Sequence, residues 1–255
     1  MSDCWMGWQS GGFVTLMAGE GALANGSRKL NVEPLDADRI LVRRVFDSCH
    51  EYIAEAVTGT ALPEEFLGAL TANESGGKAG AACFEPAVYK HLKAVASGQA
   101  PSFGSIAWKQ LSSALQQTRL PEGRLMGDAL ANDQCLKEIT QAVTSAEESG
   151  LRDFATSWSF TQIMGYQVIG RKADIKSLLD PHLHYHLAID ILGEFAQRFH
   201  LELARDFESL FHCWNTGRPD GRTFDADYVA KGMRRMNLYR SLAQPANGWQ
   251  PPPTP

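Results

Sequence analysis

A mainly α-helical fold with at most a small sheet or hairpin is what this sequence predicts, on three observations. Apolar residues recur at helical spacing through nearly every segment between residues 36 and 239. Strand signals are few and short, the best lying at Ala81-Ala82-Cys83-Phe84. Neither a strand-helix-strand alternation nor an internal repeat is present, which argues against layered α/β architectures and solenoids.

In chain order the helical segments are residues 36–56, 63–74, 86–96, 105–115, 132–148, 180–199, 203–214 and 225–239, set by periodicity and by start and stop residues. Proline suits the first turn of a helix, and Pro63 and Pro86 open the second and third. Gly76-Gly77 stops the second, and Gly217 follows the seventh. Residues 98–104 and 120–132, with their Gly and Pro, read as exposed loops, and 97–148 as an insertion or lid. Residues 1–35, rich in Gly, Ser and Asn, and 244–255, with Pro251-Pro252-Pro253, read as loosely ordered ends. That leaves 36–243 as the folded domain.

The 255 residues are 44% hydrophobic and 21% charged, enough for an ordinary globular core. A net charge of −5 argues against a nucleic-acid carrier working through a basic surface, although Lys231, Arg234 and Arg235 form a local basic cluster. Five cysteines (Cys4, Cys49, Cys83, Cys135, Cys213), odd in number and without a C-x-x-C pair, predict reduced thiols rather than a disulfide framework or zinc ribbon. No cofactor and no metal are expected. His182, His184 and His186 alternate, but in a helical stretch only His182 and His186 share a face. Gly19-Glu20-Gly21-Ala22-Leu23-Ala24 fits a dinucleotide fingerprint without the βαβ unit that gives it meaning. Cys213 beside His212 lacks an activating constellation and is expected to be packed. No stretch reaches transmembrane length. Phe13-Val14-Thr15-Leu16-Met17-Ala18 before Ala22-Leu23-Ala24 faintly suggests a signal peptide, but Asp3 and Glu20 stand where that reading needs other residues.

Chemistry concentrates in three segments. Glu74 ends the second helix, four residues after Leu70 and seven after Leu67, so its carboxyl is expected to face inward with Phe66, Leu67 and Leu70. Burial and the negative end of the helix both disfavour ionisation, which suits a general acid. The alternative is a surface Glu at a frayed helix end. Residues 155–166, with Trp158, Gln162 and Tyr166, alternate small polar and aromatic residues before and after Gly165. Trp214-Asn215-Thr216-Gly217, followed later by Tyr228-Val229, ends a helix in an aromatic and an amide. Aromatics and amides together suit sugars, which offer C–H faces and many hydroxyls. For Trp158 and Tyr166 core packing is an equal alternative, and for Asn215 a helix C-cap.

In order and spacing these segments resemble the lysozyme-like superfamily, particularly the soluble lytic transglycosylases and the bacterial and phage N-acetylmuramidases. Glu74-Ser75-Gly76-Gly77 resembles the catalytic Glu-Ser element. Ser159-Phe160-Thr161-Gln162-Ile163-Met164-Gly165 is similar to the Gly-Leu-(Phe/Met)-Gln-Ile-Met element, and Trp214-Asn215-Thr216-Gly217 with Tyr228-Val229 to the Tyr-Asn-Ala-Gly and Tyr-Val pair. Phe84-Glu85-Pro86 matches the Phe-Glu element of the muramidases. The chain departs from the pattern at Ser159 (usually Gly), Thr161 (usually apolar or aromatic) and Trp214 (usually Tyr).

The resemblance implies a lysozyme-like fold with its small sheet beside a cleft, and cleavage of the β-1,4 bond between N-acetylmuramic acid and N-acetylglucosamine in peptidoglycan. Glu74 would donate the proton, Tyr228 would orient it, and Ser75, Gln162, Trp214, Asn215, Tyr228, Trp158 and Tyr166 would contact glycan. A hydrolase would need a second carboxylate, for which Glu85 and Asp153 are the candidates, whereas a lytic transglycosylase would let the muramoyl 6-hydroxyl attack with Glu74 returning as base. From a different class comes a lysozyme-like module that binds glycan strands without cutting them. The expected partner is peptidoglycan, with no nucleic acid and no integral membrane segment; an immunity or secretion partner is left open. The site of action would be the periplasm or cell wall, reached by phage lysis, as a secretion-system effector or through an unorthodox leader.

Overall fold

The computed structural model describes residues 34–117 and 146–243. They form α1 (Pro34–Val57), α2 (Glu64–Glu74), β1 (Ala82–Phe84), α3 (Pro86–Ala96), β2 (Ser102–Phe103), β3 (Ile106–Ala107), α4 (Trp108–Gln117), α5 (Ala146–Phe154), β4 (Thr156–Trp158), β5 (Ile163–Met164), α6 (Pro181–Phe199), α7 (Phe207–Thr216) and α8 (Tyr228–Ala243). The protein is mainly α with a small antiparallel sheet. The loop expected at 120–132, most of the helix expected at 132–148, the two chain ends, Cys4, Cys135, the glycine fingerprint and the signal-like segment lie outside the described residues.

Residues Phe66 to Ala72 of α2 are all buried, so this helix is enclosed by its neighbours rather than amphipathic as the sequence suggested. α1 and α8 pack against it. At Gly68 a Cβ would come within 2.2 Å of the Tyr239 ring, so only the bare backbone lets α8 close onto α2. Gly232 does the same for α7, where a Cβ would meet the Phe211 ring at 2.7 Å. The Phe66 and Phe211 rings meet at a tilt with centroids 4.5 Å apart and complete this junction.

The other half consists of α3, α4 and α5, the β2–β3 hairpin and the three-stranded sheet, ordered β1-β4-β5 and antiparallel throughout. Phe84 pairs with Thr156 and Ala82 with Trp158, while Ser157 faces Met164 across β4 and β5. This sheet is the strand signal at 81–84 finding partners some seventy residues on. The β2–β3 hairpin replaces part of the expected loop at 98–104 and the start of the helix expected at 105. Gly104, at a φ of 57°, makes its two-residue turn, and two-residue strands are too short to give a periodicity.

Other boundaries shift for local reasons. α5 runs through Gly150 to Phe154, because burying Leu151 and Phe154 offsets the glycine. Asp206 accepts from the Glu202 amide at 2.7 Å and turns the chain, so α7 starts at Phe207. Asp225 accepts from the Asp227 amide at 2.9 Å in an Asx turn, which delays α8 to Tyr228. No helix among the described residues is long and apolar enough to cross a membrane.

Candidate active site

A cleft of about 620 Å³, part of it open to solvent, runs between the end of α2 and the sheet. Glu74 stands on one wall and Glu85 on another, with Gln162 and Tyr166 from the sheet side and Trp214 and Asn215 from α7. Ile191 and Phe195 of α6 supply an apolar flank that the sequence reading missed, although their i, i+4 spacing on a helix was visible. No lysine, arginine or histidine lines the cleft among the described residues.

Glu74 is the last residue of α2, and Ser75 caps the helix with its amide bonded to the Thr71 carbonyl at 3.1 Å. Burial raises the Glu74 carboxyl to about 7, against the lowering effect of the Tyr228 hydroxyl, which donates to its Oε1. Tyr228 sits at the first turn of α8, and burial pushes its own ionisation well up, so it acts as a donor.

Glu85 is the N-cap of α3 but makes no capping bond with its side chain. Its amide donates to the Ala155 carbonyl at 2.8 Å, fixing it to the sheet, while its carboxyl faces the cleft. The residue is only 7% exposed, burial raises its carboxyl to about 7, and the contact from the Cys83 thiol is weak at 3.8 Å. Two carboxyls of near-neutral proton affinity therefore share one cleft.

Several residues expected to touch ligand do something else. Trp158 is 2% exposed, its indole N–H donating to the Asp153 carbonyl at 3.0 Å, so it is core. Asp153, near the end of α5, is buried and raised by burial to about 7, but it does not line the cleft. Ser75 spends its hydroxyl on the Phe160 carbonyl at 2.6 Å. Gln162 lines the cleft, yet its amide donates to the Ser159 carbonyl at 2.7 Å and the Ala81 carbonyl at 3.2 Å, and accepts from Ser157 at 2.9 Å. Its amide N–H groups are fully engaged in shaping the turn rather than free for sugar.

That turn, residues 159–162, carries most of the motif between β4 and β5. Ser159 and Gln162 both adopt left-handed φ, 61° and 56°. The Thr161 carbonyl accepts from the Trp214 indole at 3.0 Å, and its amide donates to Nε2 of His184 at 3.0 Å. His184 is fully buried with Nδ1 against the Leu178 carbonyl at 2.9 Å, and burial lowers it to about 4. Its neutral ring thus donates at Nδ1 and accepts at Nε2. His182 pairs with Glu55 at 2.8 Å and His186 is exposed, so the three histidines diverge.

Trp214, its N–H committed, and Tyr166, set edge-on to Phe103 at 5.2 Å, remain on the cleft wall. Asn215 lines the cleft inside α7, whose cap is Gly217 at a φ of 77°, not Asn215. Cys213 is buried at the floor and pushed up to about 12, which keeps it an inert thiol. The basic cluster is spent internally: Lys231 pairs with Asp225 at 2.5 Å, while Arg234 and Arg235 converge on Asp38 at 3.2 and 2.8 Å. No protein-family model, curated protein or solved structure matches the chain.

Proposed function

We propose that this protein is a lysozyme-like peptidoglycan glycosidase that cleaves the β-1,4 bond between N-acetylmuramic acid and N-acetylglucosamine, with Glu74 as general acid. The observation that carries the reading is Glu74 itself: a half-buried carboxyl at a helix end, held by the Tyr228 hydroxyl, facing a cleft and raised to about 7. A group of that proton affinity can protonate a glycosidic oxygen at neutral pH and return as base. The aromatic and apolar lining suits the C–H faces of sugar rings, and Asn215 suits an acetamido group.

As the leaving oxygen takes the Glu74 proton, positive charge develops on the muramoyl ring. Glu85, in the same cleft, is the second carboxylate of this proposal, activating water or stabilising that charge, and Asp153 is not. The proposal therefore favours hydrolysis over transglycosylation. Such a substrate lies outside the cytoplasmic membrane, so the site of action would be periplasm or cell wall.

Mass spectrometry of fragments released from purified peptidoglycan tests the reading. Wild type is expected to release fragments with reducing muramoyl ends, Glu74→Gln to lose at least about a thousandfold in rate, and Glu85→Gln to lose roughly a hundredfold or more. Asp153→Asn should leave the product ends unchanged. Anhydro-muramoyl ends would replace hydrolysis by transglycosylation and remove Glu85 from the chemistry. A folded wild type that binds glycan but releases nothing would leave a binding module instead.

A further inference from the structure

Behind Glu74 lies a chain of hydrogen bonds that joins three helices. Asp38 of α1, 5% exposed, accepts from Nε of Arg235 at 2.8 Å. Nη1 of Arg235 donates to the Asn73 Oδ1 at 2.8 Å and reaches the Ala72 carbonyl at 3.3 Å. Asn73 in turn donates to the Tyr228 main-chain carbonyl at 3.1 Å, and the Tyr228 hydroxyl donates to Glu74. Asn73 and Glu74 are adjacent at the end of α2, while Tyr228 and Arg235 lie on α8.

We propose that Arg235 is a positioning residue for Glu74: its planar fork, anchored by Asp38, holds Asn73 and so fixes the first turn of α8 where the Tyr228 hydroxyl meets the carboxyl. A guanidinium presents several donors in one plane, and here they span a carboxylate on α1 and two acceptors on α2. A lysine keeps the charge and cannot span all three. The Ala72 carbonyl is also one of the acceptors left without a helical partner at the end of α2, so the same side chain helps close that end. Asp38, only 7% exposed at its side chain, is held from two sides by Arg234 and Arg235, which makes it a fixed anchor. Of the charged and titratable groups on the elements around Glu74, Tyr228 on α8 donates to it, Arg235 on α8 and Asp38 on α1 stand behind it in this chain, and Glu85, Tyr166 and Cys213 line the same cleft.

The inference rests on Glu74 being the proton donor, so its test needs a readout independent of turnover. Carbon-13 NMR of the glutamate carboxyls in the full chain follows the Glu74 titration directly, with Glu74→Gln assigning the signal. Tyr228→Phe removes the hydroxyl that lowers the carboxyl, and its midpoint is expected about one pH unit higher. Arg235→Lys, with the charge kept, is expected to move the midpoint most of that way, and to add nothing in the Tyr228→Phe background. Asn73→Ala, which leaves the Asp38–Arg235 pair whole, carries the same expectation should Arg235→Lys fail to fold. An unchanged midpoint in the folded variants overturns the proposal. So does an equal displacement with and without the Tyr228 hydroxyl, which would mean that Arg235 acts on Glu74 directly. Midpoints that move as expected in a protein that cleaves no peptidoglycan would uphold the positioning role and overturn the glycosidase reading alone.

Discussion

Ser159 shows how a single residue can work against its own site. It holds a left-handed φ of 61°, and its buried hydroxyl has no hydrogen-bond partner among the described residues. The left-handed conformation costs about 1 kcal/mol for a side chain with a Cβ, and a stranded hydroxyl costs about 1–3 kcal/mol. Glycine would recover both, less about 1 kcal/mol of added freedom in the unfolded chain. Ser159→Gly is therefore expected to stabilise the fold by about 1–3 kcal/mol and to raise Tm by at least roughly 3 °C in calorimetry; a lower Tm would show that the serine has a partner in solution. Glu74 and Gln162 mark what single residues reveal in advance. An acid at a helix end can be spotted by spacing, because i+4 and i+7 positions share a face. The commitment of the Gln162 amide to Ser159, Ala81 and Ser157 could not, because only Ser159 belongs to the turn, while Ser157 lies on β4 and Ala81 just before β1, some eighty residues earlier in the chain.

Between elements, the decisive contact is α2 against α8. In an exposed helix Gly68→Ala would gain about 1 kcal/mol of helix propensity. Here the new methyl would stand 2.2 Å from two carbons of the Tyr239 ring, which is fully buried and has nowhere to retreat. Overpacking of that kind costs about 3 kcal/mol, so it wins, and chemical denaturation should show a net loss of about 2 kcal/mol. A variant as stable as wild type would mean that α8 slides freely on α2. It would also mean that Tyr228, on the same helix, is not held by packing at all. The helices themselves were legible because periodicity and capping are local: α3 starts at Pro86 and ends at Ala96 as the sequence implied. The β2–β3 hairpin was not, since Ser102, Phe103, Ile106 and Ala107 pair only once Gly104 has turned the chain.

Across the whole molecule, stability depends on pH through buried groups that oppose one another. Glu74, Glu85 and Asp153 are each raised to about 7, so each contributes stability that is full below its ordinary value near 4 and lost as pH rises through 7. His184 is lowered to about 4, so its contribution is full above its ordinary 6.5 and lost as pH falls through 4. Three groups outweigh one between pH 5.5 and 8. With the half-buried Glu74 discounted for solvent screening, the difference amounts to about 2 kcal/mol in favour of the acid side. Melting is expected roughly 5 °C higher at pH 5.5 than at pH 8, with a smaller gap in Glu74→Gln; equal or reversed values would mean that these carboxyls are hydrated. By itself, the sequence determined the helical class and the bounds of helices such as α2 and α3, because each depends on neighbours a few positions away. Only the tertiary structure decided that Glu85 rather than Asp153 shares the cleft with Glu74, that Trp158 is core and Trp214 is wall, and that Asp38 reaches Tyr228 through Arg235 and Asn73. Those outcomes depend on which strand and helix faces meet across more than seventy residues of chain, and no local spacing encodes that meeting.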